Sequence, residues 1–117
     1  MFLVDLITVM PNWLMVSLLN NDVRNKCNDC EGVYLLESSK INGKSHWRQK
    51  DGSLAIWYDP LWSNWKMGKD LGSSVGIFLT DAKLTGAALP HETKWKYKIG
   101  GKWRFSDSIS VSTCLQC

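Results

Sequence analysis

Residues 45–67, SHWRQKDGSLAIWYDPLWSNWKM, decide the fold class of this chain. Runs rich in aromatic and β-branched residues flank Asp51-Gly52, a dipeptide in which both positions tolerate positive φ angles. Such a pair between alternating apolar residues is the strongest short-range signal for a two-residue β-hairpin. The stretch therefore predicts two antiparallel strands, and a third strand in the segment that ends it.

The same period-two pattern extends outward from this hairpin over the chain from Cys27 onward, with Gly, Asn, Asp and Pro between the runs. We therefore predict an all-β fold, a small antiparallel sandwich or barrel of about seven or eight short strands. Helix is expected only in residues 1–19 and in the loop at 81–91. The predicted strands span residues 33–37, 45–49, 54–59, 65–67, 76–80, 94–99, 102–105 and 109–113.

Composition limits the classes of function. The 117 residues fit one domain, and 14 Lys and Arg against 11 Asp and Glu give a formal charge of +3. This charge is too small to indicate a nucleic-acid partner. The two His are isolated in the sequence, and no nucleophile elbow, phosphate-binding loop or His-Glu-x-x-His motif occurs. We therefore predict no catalytic residues, no cofactor and no bound metal, and a protein that is not an enzyme.

The first twenty residues differ sharply in composition from the polar run that follows them. Residues 1–19 are mostly apolar, although Asp5 and Pro11 interrupt them. Residues 1–20 are predicted to be an apolar leader, which is either a poor signal or anchor segment or a helix packed on the domain. Residues 21–117 then form a single β-domain, and a membrane is a partner only if the leader is retained as an anchor.

The hairpin at residues 94–107 alternates aromatic and basic residues. A three-residue loop at 99–101, with Gly in the left-handed position, would separate them completely onto the two faces of the hairpin. The aromatic face is predicted to belong to the core. The cationic face either binds an anion or is a solvated face that opposes edge-to-edge aggregation. The aromatic face holds Trp95, Tyr97, Trp103 and Phe105, and the cationic face holds Lys96, Lys98, Lys102 and Arg104.

Two of the 7 Trp are candidates for ligand binding. Trp62 lies in a loop, and Trp57 points to the face of its strand opposite its aliphatic neighbours. Exposed indoles beside Asp59 and Asn64 are typical of sugar binding, because the ring covers C–H faces while the polar groups bond hydroxyls. In the other interpretation, Trp builds the core of a β-protein that is poor in Leu and Ile. That interpretation applies first to Trp47, Trp65, Trp95 and Trp103.

The 4 Cys form two C-x-x-C pairs, Cys27 with Cys30 and Cys114 with Cys117. In a cytosolic protein this double pair is a zinc signature, whereas in a secreted protein it indicates two disulfides. One antiparallel register of the first and last segments aligns Cys27 with Cys117 and Cys30 with Cys114. That register suits either site, so the spacing indicates only that the two ends of the domain meet.

A set of short motifs spans residues 31–114. It comprises Gly32-Val33-Tyr34, Ile41-Asn42-Gly43, Trp47, Ala55-Ile56-Trp57-Tyr58, Asn64-Trp65-Lys66-Met67-Gly68, Gly72-Ser73-Ser74, Trp95-Lys96-Tyr97, Trp103 and Ile109-Ser110-Val111 before Cys114. In order and spacing this set resembles a Trp-rich module of multidomain extracellular proteins from animals and some protists. The resemblance implies a small β-domain that accompanies adhesion and recognition domains and has no assigned enzymatic activity.

The resemblance also bears on the disulfides. Modules of this kind often carry a Cys before the Pro that here follows Leu89, and this chain has none there. The resemblance therefore implies Cys30–Cys114 as the preferred bridge and Cys27–Cys117 as the second.

These observations predict a secreted or cell-surface, non-catalytic binding or adhesion module whose ligand is a glycan or an extracellular protein. Two alternatives remain, a purely structural domain of a larger extracellular protein and an intracellular module with a four-Cys zinc site. The predicted ligand-binding residues are Trp57, Trp62, Asp59, Asn64, Lys96, Lys98, Lys102 and Arg104.

Overall fold

The alternating runs separated by turn residues become the strands of one antiparallel sheet. The structure is a computed structural model that describes residues 10–81 and 88–113. A short helix, α1 (Asn21–Lys26), and the 3₁₀ turns Asn28–Cys30 and Pro90–Glu92 connect some of the strands. The strands within the described residues are β1 (Trp13–Leu18), β2 (Gly32–Ile41), β3 (Lys44–Gln49), β4 (Ala55–Asp59), β5 (Asn64–Gly68), β6 (Phe78–Thr80), β7 (Trp95–Ile99), β8 (Lys102–Phe105) and β9 (Ile109–Thr113).

The strands are hydrogen-bonded in the order β8-β7-β6-β5-β4-β3-β2-β1-β9. From β1 to β8 each strand pairs with the next one along the chain, whereas β9 returns to pair with β1. The sheet curls into a half-barrel. The predicted all-β antiparallel class is confirmed, but the described residues form nine strands in a single sheet, which is more than the number predicted.

Residues Trp13–Leu18 form β1, inside the segment that the sequence assigned to an apolar leader or a packed helix. In the sheet, Val16 lies opposite Gly32 of β2 and opposite Val111 of β9. Within the predicted leader or packed helix, these residues therefore form a strand and not a helix, while residues 1–9 lie outside the described residues. A strand with sheet on both sides is apolar over successive positions, as a signal segment is, so composition alone did not separate the two.

A short helix that the sequence did not predict begins just after β1. The Asn20 side chain caps α1 by accepting the Val23 N–H (3.0 Å). Asp22 in the first turn is negative where the helix dipole is positive, and Arg24 in the last turn is positive where the dipole is negative, so both charges stabilise the helix. Val23 is fully buried, so this six-residue helix closes the core beside β1.

The concave face of the sheet carries the core, and Trp supplies much of it. Trp47, Trp65 and Trp95 are buried, as the sequence predicted. Trp47 and Trp65 meet edge to face, with ring centroids 5.7 Å apart. Each of the three indole N–H groups donates to a backbone carbonyl, so their burial leaves no donor unpaired. The acceptors are the carbonyls of Pro11, Ala88 and Pro90, at 2.8, 2.9 and 2.9 Å.

The hairpin of β7 and β8 has a two-residue loop, Gly100-Gly101, where a three-residue loop was predicted. Both glycines have positive φ angles, 57° and 77°, as a type I′ turn requires. Tyr97 therefore lies opposite Arg104, and the predicted separation into an aromatic and a cationic face is wrong. The twist of a type I′ turn matches the twist of the two strands. This match stabilises the hairpin by more than the few tenths of a kcal/mol that each cross-strand side-chain pair contributes.

The observed register divides the basic residues of this hairpin between the two faces. Trp103, which was predicted to be a core residue, is 38% exposed, and Phe105 is exposed beside it. The outer face holds Lys96, Lys98, Trp103 and Phe105, and the concave face holds Trp95, Tyr97, Ile99, Lys102 and Arg104.

Cys27 is joined to Cys30 by a disulfide around the 3₁₀ turn Asn28–Cys30. Their Cα atoms are 5.4 Å apart, a separation that a disulfide spans without backbone movement. This local bridge replaces the predicted bridges Cys30–Cys114 and Cys27–Cys117. Cys114 and Cys117 themselves lie outside the described residues.

The register of β1 explains why the predicted bridges differ from the observed one. β9 ends with Thr113 opposite Leu14. The segment after Cys30 lies at the other end of β1, where the Glu31 carboxylate accepts the Leu18 N–H (2.7 Å). Four residues of antiparallel strand span about 14 Å. The two ends of the domain do meet in the sheet, but β9 pairs with β1 and not with the segment that carries the first Cys pair.

Candidate functional site

A second covered surface lies on the face of β4 and β5 that points away from the core. Trp57 on β4 lies opposite Lys66 on β5, and both are buried. Residues 69–77 fold back over them, and the Trp57 indole N–H donates to the Ser73 carbonyl (2.9 Å). Gly76 permits this approach, because a Cβ there would lie 3.1 Å from the Lys66 Cβ. The prediction that Trp57 is an exposed ligand contact is therefore wrong.

Lys66 is buried together with polar partners. Its Nζ donates to Asn64 Oδ1 (2.8 Å) and lies 3.2 Å from Asp59 Oδ2. The side chains of Lys66 and Asp59 are 3% and 5% exposed. An unpaired buried ion would cost several kcal/mol, so each of these charges is tolerated because the other is present. The Asn64 amide in turn donates to the Thr80 carbonyl (3.1 Å), which ties the group to β6.

Asp59 has a structural role in place of the predicted contact with a ligand. Its second oxygen, Oδ1, accepts the Leu61 N–H (2.9 Å), and this bond shapes the turn that follows β4. Ser63 closes the turn in the left-handed region, with a φ of 52°. The turn presents Trp62 outward with 56% of its surface exposed, as the sequence predicted.

Beside this turn the outer face of the sheet forms an open cleft of about 470 Å³. That volume lies in the range of about 300–1,000 Å³ that is usual for small-molecule sites. Trp62 and Trp103 border it, and both indoles are exposed. The remaining described residues that border the cleft are Asn64, Lys66, Ser74, Val75, Gly76, Leu79, Thr80 and Lys96.

The floor of the cleft is a row of residues that runs across three strands. Lys66 on β5 lies opposite Leu79 on β6, and Leu79 lies opposite Lys96 on β7. Lys96 Nζ is 3.7 Å from Asp81 Oδ1 and 4.8 Å from the ring centroid of Phe105. This row therefore places two Lys side chains at the cleft, Lys66 almost fully buried and Lys96 partly exposed, with an aliphatic side chain between them.

The structure brings together some of the predicted site residues and separates the others. Trp62, Asn64 and Lys96 border one cleft. Lys98 lies on the same face as Lys96 but does not border the cleft. Lys102 and Arg104 are on the concave face, where they border a separate shallow depression with Tyr97, Ile99 and Gly100.

Two residues of the cleft were missed as ligand contacts from the sequence. Trp103 was assigned to the core because the wrong hairpin register was used. Lys66 carried a usable signal, since a Lys that alternates with Trp65 and Met67 in a short strand points to the other face of the sheet. The burial of Lys66 was not predicted because it depends on the loop at 69–77, and no local sequence pattern indicates the course of that loop.

The described residues that border the cleft offer aromatic, aliphatic, hydroxyl, amide and ammonium side chains. None of the described residues that border it is His, Cys, Asp or Glu. In the described part of the chain, no cluster of three or more His, Cys, Asp and Glu is placed to hold a metal. His46 is buried elsewhere, on β3, and its burial lowers its pKa below the usual value.

Comparison of the chain with protein-family models, with curated proteins and with solved structures found no match. The resemblance to a Trp-rich extracellular module therefore stays a prediction, and the argument for function rests on the cleft itself. In the described residues, no helix is long and apolar enough to cross a membrane.

Proposed function

We propose that this protein is a non-catalytic binding module that holds a saccharide in the cleft beside Trp62. The observation that carries the proposal is the position of this indole. It is 56% exposed, on a turn fixed by Asp59, at the rim of a cleft whose floor holds polar donors. More than half of the surface of Trp62 is open to water beside the cleft, so its ring can meet a ligand without leaving the core.

The chemistry of the cleft fits a sugar ring. An indole face covers the apolar C–H face of a pyranose, and Trp103 and Val75 add further apolar surface at the border. Hydroxyl groups need fixed polar partners, and the Lys66–Asn64 pair supplies them. Because this pair is already held by Asp59 and Thr80, binding would not have to order it.

A protein ligand is the second candidate, because the exposed apolar residues extend past the cleft. Leu61, Trp62 and Val75 are all well exposed on neighbouring loops. Such a rim of apolar side chains is also typical of a protein-binding patch. An extracellular location belongs to the same proposal, and the Cys27–Cys30 disulfide is compatible with an oxidising compartment.

The proposal is tested by screening the purified protein on a panel of neutral and charged oligosaccharides. Trp62→Ala should weaken binding of the best ligand at least about fivefold, because a stacking aromatic residue contributes about 1–3 kcal/mol. Leu61→Ala is the matched control. Leu61 is on the same turn and is more exposed than Trp62, but it does not border the cleft.

Two results would overturn the proposal. One is a folded wild-type protein that binds no saccharide on the panel, which would favour the protein ligand or a purely structural role. The other is equal binding by wild type and Trp62→Ala. Circular dichroism of both variants separates a loss of binding from a loss of fold, since Trp62 makes little contact with the core.

A further inference from the structure

We propose that the saccharide held in this cleft carries a negative charge, as a carboxylate or a sulfate ester on the ring. This inference rests on the proposed function and names the class of sugar. A ligand in this cleft would lie beside positively charged side chains. Among the described residues that border the cleft there are two Lys and no carboxylate. Asp59 and Asp81 pair with these Lys but do not border the cleft.

Lys66 has donor capacity left for a ligand. A protonated Lys has three N–H donors. One is taken by Asn64 Oδ1 at 2.8 Å, and Asp59 Oδ2 at 3.2 Å forms an ion pair with Nζ without a hydrogen bond. In the described residues no third acceptor faces Nζ, although the side chain borders the cleft. A charge-assisted hydrogen bond from so buried a donor is stronger than one made in water.

Lys96 adds a second cation that is free to turn toward a ligand. Its side chain is 21% exposed, whereas its partner Asp81 is 52% exposed, at a separation of 3.7 Å. An ion pair that is open to water on one side contributes about 0–1 kcal/mol. Exchanging this partner for a charged group bound inside the cleft therefore costs little. Leu79 lies between Lys96 and Lys66 in the sheet, so the two cations flank an apolar strip.

The arrangement matches an anionic sugar better than a neutral one. The apolar face of the ring would lie against Trp62, and the charged substituent would meet the ammonium groups. A neutral sugar would use the same stacking surface and would leave both cations with only the partners they already have. Preference for the charged sugar should therefore fall with added salt, while stacking should not.

The experiment measures affinity by isothermal titration calorimetry for three matched oligosaccharides: a neutral form, its uronate counterpart and its sulfate ester. Wild type should bind at least one anionic form about tenfold more tightly than the neutral form, and the gap should narrow between low and high salt. The anionic form that binds more tightly identifies the charged group.

Lys96→Gln should remove most of the preference for the anionic form over the neutral form, because it removes the more exposed of the two cations that border the cleft. Lys98→Gln is the matched control, because Lys98 lies on the same strand and face but does not border the cleft. Equal affinity of wild type for all three forms would overturn this inference and leave the proposed function standing. Binding of none of them would overturn both.

Discussion

His46 shows how one buried side chain ties the stability of the fold to pH. It is nearly inaccessible on β3, and its Nδ1 has no hydrogen-bond partner in the described residues. Burial lowers its pKa; Glu37 and a bond to the Ser39 backbone raise it, and Arg48 lowers it further. The folded state therefore keeps His46 neutral at a pH where the unfolded chain takes up a proton.

We expect the free energy of unfolding to fall as the pH drops below about 6.5, the usual pKa of His in an unfolded chain. A depressed pKa means that the unfolded state binds more protons in this window, so stability rises with pH. The contribution of one group changes by at most about 1.4 kcal/mol per pH unit. Urea denaturation at several pH values between 5.5 and 8 measures the slope.

The comparison for this prediction is His46→Gln, which cannot titrate. Whatever its absolute stability, this variant should show a weaker dependence of stability on pH than wild type in the window below 6.5. Identical slopes for the two proteins would show that His46 is protonated equally in the folded and unfolded states.

At the scale of elements, the β7–β8 turn fixes the register that places Trp103 at the cleft. Gly100 and Gly101 both have positive φ, and an added Cβ at either position would meet no atom within 4 Å. Only backbone strain therefore opposes substitution. Asn adopts the left-handed region readily and is common in type I′ turns, whereas a β-branched residue is strained there by about 1–2 kcal/mol.

We expect Gly100→Asn to leave the hairpin intact and Gly100→Val to destabilise it. Amide hydrogen exchange of β8 is the suitable measurement, because among the described strands β8 pairs with β7 alone. Faster exchange should appear in the Val variant and be absent from the Asn variant. If both variants exchange like wild type, the register does not depend on a type I′ turn.

The same hairpin shows where sequence patterns reach their limit. Composition and period-two alternation place all the predicted strands, because aromatic and β-branched runs between turn residues have few other structures open to them. The register of the β7–β8 hairpin, in contrast, changes with a single loop residue. The local sequence is compatible with a loop of two residues and with a loop of three. Trp62 and Lys96 were predicted as contacts, but their meeting in one cleft depends on the curl of the sheet.

The burial of side chains on the outer face of the sheet is the second property that the sequence pattern did not predict. Trp57 and Lys66 lie on the second face of the sheet, which in an isolated hairpin would be open to water. The loop at 69–77 covers them, and the small size of Gly76 and the carbonyl of Ser73 hold it there. These contacts join residues far apart in the chain, so no local window of sequence contains them.

At the scale of the whole molecule, β1 joins β9 to the rest of the sheet. β9 pairs with no other described strand, so the sheet hydrogen bonds of residues 109–113 depend on β1. The side chains that face the core from this strand, Leu14, Val16 and Leu18, are fully buried. The apolar composition that suggested a leader is therefore what a strand inside the sheet requires.

This role of β1 predicts that Val16→Asp unfolds the protein. A carboxylate at this position would be buried without a partner, and such substitutions cost more than about 4 kcal/mol. Ser17→Asp is the control, because Ser17 points to the other face and is partly exposed, so its cost should stay within about 1 kcal/mol. Thermal denaturation followed by near-ultraviolet circular dichroism of the buried Trp reports the result.

A removable leader would behave differently, since its substitution would leave the melting of residues 21–117 unchanged. Cooperative melting of Val16→Asp at the wild-type temperature would therefore restore the leader and take β1 out of the fold.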